Sequence, residues 1–226
     1  VSNESTPPAG LIAIDVGNSR VKLGWFPSVA SDCATTAQAG VLPIASPSLP
    51  EPTETLAGTI EELRQDLVSD WLTTTGITVN SRVALASVSR PTDDLLGELL
   101  QGFSITQLVS EAAPIELRID EPAKIGVDRV MAAVAANRLR HAGKPAIVID
   151  IGTAITVDLI AADGVLEGGA ILPGPGLAAR ALGEKTDRLP AIRFGDLDES
   201  PDAVGRSTEP AMRAGIFWGP SEPSEN

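Results

Sequence analysis

Two aspartates, Asp15 and Asp150, each stand at the end of a short apolar run and two positions before a glycine. Around the first the chain reads Leu11-Ile-Ala-Ile-Asp15-Val16-Gly17-Asn18-Ser19-Arg20-Val21-Lys22. Around the second it reads Ala146-Ile-Val-Ile-Asp150-Ile-Gly152-Thr153-Ala-Ile-Thr-Val-Asp158. A glycine followed by Asn, Ser or Thr lets backbone N–H groups and a hydroxyl approach phosphate oxygens closely, and a nearby carboxylate can hold a cation. Lys22 adds a compact point charge suited to phosphate. One such turn is no more than any hairpin needs. The matched pair is the stronger signal, and it points to a polyphosphate held by two loops.

A third constellation lies between them, Gly126-Val127-Asp128-Arg129, directly before an alanine-rich stretch from Val130 to Leu139 that Gly143 ends. That stretch is strongly helical, so Asp128 and Arg129 fall at a helix N-terminus. An aspartate there commonly serves as an N-cap. An arginine there opposes the helix dipole, which disfavours cations at that end. The misfit asks for a ligand, and Arg129 can fork onto a substrate carboxylate with the helix end assisting.

These residues need elements to hold them. Leu11 to Asp15 and Ala146 to Ile149 read as short buried strands. Each is followed by an alternating partner: Val21, Leu23 and Trp25 in the first hairpin, and Ile155, Val157 and Leu159 against Thr156 and Asp158 in the second. The spacing of the copies is too long for a solenoid repeat and suits two related halves facing each other, residues 1–115 and 116–226. Between them, Ala30 to Gly58 is rich in Ala, Ser, Thr and Pro. It predicts a third strand at most, over Val41 to Ile44, and then a long mobile loop. A helix follows, with Thr59 and Glu62 as a capping box, Ile60, Leu63, Leu67, Trp71 and Leu72 on one face, and Gly76 as the stop. Strands at Val83–Val88 and Ile105–Val109 flank a helix at Thr92–Leu100, so the class is α/β with a mixed sheet. Beyond the second hairpin, Gly164 to Leu172 reads as strand and turn. Glu167-Gly168-Gly-Ala-Ile-Leu-Pro173-Gly174 then puts glycines where backbone passes close to something. Helices are expected from Leu177 to Leu182 and from Ser207 to Trp218, with a polar tail after Gly219.

Composition narrows the function classes. A formal net charge of −13 and a single cysteine, Cys33, argue against a nucleic-acid binder, a disulfide scaffold and a multi-cysteine metal site. No uninterrupted apolar run is long enough to span a bilayer, and the first residues lack the pattern of a secretory signal. A cytoplasmic protein without membrane or nucleic-acid partners is the expectation. An acidic chain that binds a nucleotide triphosphate also needs cations in its site. His141, the lone histidine, falls at a helix C-terminus and reads as surface.

The ordered set Asp15-x-Gly-Asn-Ser-x-x-Lys22, Gly126-Val-Asp128-Arg129, Asp150-x-Gly-Thr153-Ala-x-Thr-x-Asp158 and Gly168-Gly-x-Ile-x-Pro-Gly174 resembles type III pantothenate kinase, the bacterial enzyme that begins coenzyme A synthesis. The resemblance implies a member of the sugar-kinase/actin-like ATPase superfamily. Its fold would be two ribonuclease-H-like halves with mixed sheets and a nucleotide cleft between them. It implies ATP with Mg²⁺ as co-substrate and phosphorylation of pantothenate to 4′-phosphopantothenate. Asp15, Val16, Gly17, Asn18, Ser19, Arg20, Val21 and Lys22 become the first phosphate loop, and Thr153 a contact of the second. Asp150 becomes the ligand of a monovalent cation, K⁺ or NH₄⁺. Gly126, Val127, Asp128 and Arg129 hold pantothenate, with Asp128 the base that takes the hydroxyl proton and Thr186 a further substrate contact. A homodimer is implied as well. The pattern departs at Ile119, where the family commonly has an aromatic residue. Two competing expectations are a kinase or phosphatase of the same superfamily with another substrate, and a catalytically silent regulatory relative.

Overall fold

The computed structural model describes residues 10–27, 49–192 and 200–219. The strand expected at Val41–Ile44, Cys33, the first residues of the chain and the tail after Gly219 lie outside the described residues.

The first sheet has five strands in the order β3-β2-β1-β4-β5. β1 (Leu11–Val16) pairs antiparallel with β2 (Arg20–Phe26), and β2 with β3 (Glu54–Thr59). On its other side β1 runs parallel to β4 (Arg82–Ser87), and β4 runs parallel to β5 (Ser104–Gln107). Three antiparallel strands extended by two parallel ones make the mixed sheet of an α/β fold that the sequence predicts. β3 is a departure, since the sequence predicts loop through Gly58. Its only large apolar residue is Leu56, and an edge strand held mainly by backbone pairing leaves little hydrophobic signature.

The connection from β3 to β4 is helical as the sequence predicts. Thr59 and Glu62 cap each other, Thr59 N–H donating to Glu62 Oε2 at 2.7 Å and Glu62 N–H to Thr59 Oγ1 at 3.3 Å. α1 (Ile60–Glu62) passes through a π-helical turn at Leu63–Leu67 into α2 (Val68–Thr75), and Gly76 closes it at φ +68°. Leu63, Val68 and Trp71 are buried against Ile12, Ile14, Val21, Leu23 and Val83 of the sheet, with Leu96 of α3 (Arg90–Leu99) in the same core.

A second, smaller core gathers Val130, Ala133, Ile160 and Leu166. Val130 and Ala133 belong to α4 (Val127–Leu139), which begins three residues earlier than the sequence suggests. Gly126 is its N-cap, so Asp128 and Arg129 sit within the first turn and Asp128 is not the cap residue. Exposed His141 follows the helix, as expected.

β6 (Ala146–Ile151), β7 (Ala154–Ile160) and β8 (Leu166–Pro173) form a three-stranded sheet in that order. β6 corrects the reading of a buried strand. Ala146 and Val148 pack on the second core, but Ile147, Ile149 and Ile151 point the other way at 66%, 60% and 68% exposure. An uninterrupted apolar run suggests cover on both faces, whereas this strand is covered on one. β7 corrects the reading of alternation: Leu159 is exposed, and Asp158 is buried beside Ile160. α5 (Pro175–Lys185) and α6 (Thr208–Trp218) complete the described elements. The described residues fall into two compact units, one drawn from residues 10–148 and 158–168 and the other from 149–157 and 169–219.

Candidate active site

In the first unit the carboxyl ends of parallel strands gather the expected chemistry. In open α/β sheets ligands bind beyond those ends, because helix starts and turns place backbone donors there. Asp15 stands opposite Ala86 and Val16 opposite Ser87, and Val88 N–H donates to Val16 O at 3.0 Å. The segment leading into α4 reaches the same end: a Cβ built on Gly126 would lie 3.8 Å from Val88 Cγ1. Ser110 Oγ, beyond β5, donates to Ile125 O at 3.0 Å and ties that segment down. The sheet thus brings the base of the Asp15 loop and Gly126, at the start of the Gly126-Val127-Asp128 segment, to the same end.

The first loop turns at Gly17, whose N–H donates to Arg20 O at 3.0 Å, and leaves Asn18, Ser19 and Arg20 exposed. Val16 and Val21 are buried beneath it and fix its base. Asp15 and Lys22 are cross-strand partners, with Lys22 Nζ 3.6 Å from Asp15 Oδ2. Both side chains are well exposed, so the pair contributes little to stability and can rearrange around a ligand at small cost.

Asp128 folds back over its own helix start. Its Oδ1 accepts the Arg129 N–H at 2.8 Å, satisfying one of the donors a helix N-terminus leaves open. A Cβ on Gly126 would come within 2.3 Å of that same oxygen. Glycine at 126 therefore clears the space in which the Asp128 carboxylate rests. Val127 is buried.

Arg129 does not point into open solvent. Its Nε donates to Asp158 Oδ2 at 3.0 Å and its Nη2 to Asp158 Oδ1, a side-on fork between side chains 16% and 2% exposed. The hydrogen bond to Asp158 pushes the guanidinium above its ordinary range, against burial, which lowers it. The alternating pattern of β7 predicts Asp158 as an outward polar residue. The missed signal was parity: Asp158 shares a strand face with Ile160, which is fully buried.

Ile119, at the position where the motif pattern departs, contacts Gly168; a Cβ there would lie 3.3 Å from Ile119 Cγ2. Gly168 itself adopts φ +98°.

In the second unit, the turn Gly152–Thr153 joins β6 to β7, with Gly152 N–H donating to Ala154 O at 2.9 Å. The role of the later glycine motif becomes visible here. Gly174 N–H donates to Thr153 O at 3.0 Å, and a Cβ at 174 would lie 2.1 Å from Gly152 O and 2.5 Å from Thr153 O. The Pro173-Gly174 backbone thus rests directly on the turn. Asp150 is exposed near the end of β6. Thr186 follows α5, where its hydroxyl donates to Leu182 O at 2.7 Å. It lines an apolar groove of about 820 Å³ shared with Leu172, Leu182, Met212 and Ile216.

Among the described residues no group of three or more His, Cys, Asp or Glu side chains is placed to hold a metal ion. No described helix is long and apolar enough to cross a membrane.

The family model of type III pantothenate kinase matches residues 11–222. A type III pantothenate kinase of Rhodopirellula baltica is 35% identical over 215 residues, 91% of this chain and 78% of that one. One from Dehalococcoides mccartyi is 31% identical over 223 residues, 96% of this chain and 77% of that one. A shorter stretch of 120 residues, 52% of this chain and 43% of the relative, is 42% identical to the enzyme of Acidiphilium cryptum. Among solved structures, MreB5 of Spiroplasma citri bound to ADP is similar with a TM-score of 0.38 at 11% identity, covering 78% of this chain and 56% of that one.

Proposed function

The chain belongs to the type III pantothenate kinase family, and from that premise we propose that it transfers the γ-phosphoryl group of ATP to the primary hydroxyl of pantothenate. The products are 4′-phosphopantothenate and ADP, and the reaction opens coenzyme A biosynthesis. The observation that supports the residue assignment is that the Val16 end of β1 and Gly126 both lie against Val88, beyond the carboxyl end of β4.

Phosphoryl transfer needs positioning and charge neutralisation more than covalent chemistry by the protein. Asp128 acts as general base: its carboxylate takes the proton as the hydroxyl oxygen bonds to the γ-phosphorus and the bond to the ADP oxygen breaks. Its exposure is partial, and one oxygen already accepts a backbone N–H, so the carboxylate is oriented before substrate arrives. Asp15 to Lys22 grip the phosphates through the Gly17 turn and the Lys22 ammonium. Thr153 supplies the second loop, braced by Gly174. Gly126, Val127 and Arg129 hold pantothenate, and Thr186 is a further contact.

A kinase of this family uses ATP with a divalent metal ion. Mg²⁺ is commonly bound through substrate phosphates with one or two carboxylates, so the ion arrives on the nucleotide. The exposed Asp150 carboxylate, together with oxygen atoms of the adjoining turn, suits a monovalent cation such as K⁺ or NH₄⁺. Such an ion supplies charge neutralisation at the phosphates. We further assign the halves 1–115 and 116–226 as the two ribonuclease-H-like repeats, with a homodimer working in the cytoplasm, on the strength of the family resemblance.

The test is direct. Purified protein with ATP, Mg²⁺ and pantothenate should yield phosphopantothenate, with turnover rising when K⁺ replaces Na⁺. No product under either salt contradicts the assignment.

A further inference from the structure

We propose that Asp158 is a positioning residue for substrate selection: it locks the Arg129 guanidinium side-on and thereby leaves its opposite edge to read the substrate carboxylate. The inference rests on the kinase reading given above.

The geometry of a guanidinium makes the division of labour explicit. Its five N–H groups form two forks, one from Nε and Nη2 and one from Nη1 and Nη2. Asp158 takes the first fork with both oxygens. Nη1 and the outer N–H of Nη2 face away from that pair, and Nη1 has no protein partner among the described residues. Arg129 is therefore half spent, and the half that remains is a flat donor edge of the shape a carboxylate fits.

Why the pair is charged also needs a reason. Asp158 is 2% exposed and sits on the face of β7 that carries Ile160, beside the core of Val130, Ala133 and Leu166. Two apolar side chains there would fold at least as well, so a buried ion pair is weak evidence for stability. It does supply orientation. A lone arginine in the first turn of α4 would be pushed outward by the helix dipole and would sample many rotamers. Bound to Asp158 it is held in one, next to Asp128 on the same turn. Release of Arg129 would strand a buried carboxylate, so the arginine does not leave Asp158 to follow the ligand. Substrate must come to the outer edge, which sets the carboxylate end of pantothenate at a fixed offset from the base.

The experiment compares pantothenate with its analogue in which the carboxylate is reduced to an alcohol. The wild type should favour pantothenate in kcat/KM. In Asp158→Asn the pantothenate KM should rise at least about tenfold while kcat and the ATP KM change less than about threefold, and the preference over the alcohol should collapse. Arg129→Lys, which keeps the charge and loses the fork, should collapse the same ratio with Asp158 intact. It serves if Asp158→Asn does not fold. Equal losses on both substrates in either variant would make the pair structural and overturn the inference. A wild type that phosphorylates neither compound would instead overturn the kinase reading on which it rests.

Discussion

The two carboxylate-tipped hairpins carry nearly the same motif, yet the fold treats them differently. β1 of the first is flanked on both sides, by β2 and by parallel β4, and its Ile12, Ile14 and Val16 are buried. β6 of the second has β7 beside it, and Ile147, Ile149 and Ile151 are exposed. The tips contrast as well. Gly17 turns in ordinary space, the nearest atom to a built Cβ being Arg20 O at 3.4 Å. The Gly152–Thr153 turn is pressed from outside by the Gly174 backbone. One loop is held from beneath by a sheet, and the other is held at its tip by a later segment. The two loops therefore share a motif but not a support, and the surrounding chain decides how each is held rigid.

That contrast is open to test. The largest effect should come from Gly174→Ala. Its methyl has no room against two backbone carbonyls, so the second loop must shift, and a displacement of about 1 Å should lower kcat/KM on the order of 10²-fold. Gly17→Ala should cost far less, and steady-state kinetics on both variants checks the difference. Equal losses would erase the distinction between the tips.

Stability should separate the strands next. Ile14→Ala should lower unfolding free energy by about 2–5 kcal/mol, as expected for a buried aliphatic residue. Ile149→Ala should stay within about 0.5 kcal/mol, as expected on a surface. Denaturant titration of each variant decides it, and a large loss at Ile149 would show that its face is covered in solution.

The smallest effect concerns a link outside both hairpins. Arg118 pairs with Asp163 at 3.0 Å and with Glu167, joining the segment before α4 to the β7–β8 connection and β8. The hydrogen bond from Arg118 holds the Asp163 carboxyl below its ordinary range. A lowered folded pKa gives a contribution that is full above the ordinary aspartate value of about 3.9 and is lost as pH falls through the lowered one. The Tm gap between wild type and Asp163→Asn should thus be small and positive at pH 7 and close at strongly acidic pH. A gap that widens in acid has the wrong sign.

Much of this was legible in the chain. The Thr59–Glu62 capping box, the Gly76 stop, the strand at Val83 and the two Asp-x-Gly turns follow from local rules, because short-range hydrogen bonds and backbone preferences decide them. β3 escaped because an edge strand needs no apolar pattern. The start of α4 escaped because Gly126 caps it without a side chain. Asp158 escaped for a deeper reason: its burial depends on Arg129, a partner on another element, and no alternation pattern within β7 records that. The role of Gly174 was foreseen in kind, as a close approach of backbone, but the turn it approaches is visible only in three dimensions.

The assignment of the base is the central chemical claim, and Asp128→Asn tests it most directly. ATP binding and pantothenate phosphorylation should be measured on the same folded preparation. The account predicts turnover lower by ~10²–10⁴-fold with nucleotide affinity nearly unchanged. Wild-type turnover in this variant, or equal loss of binding and turnover, would contradict it.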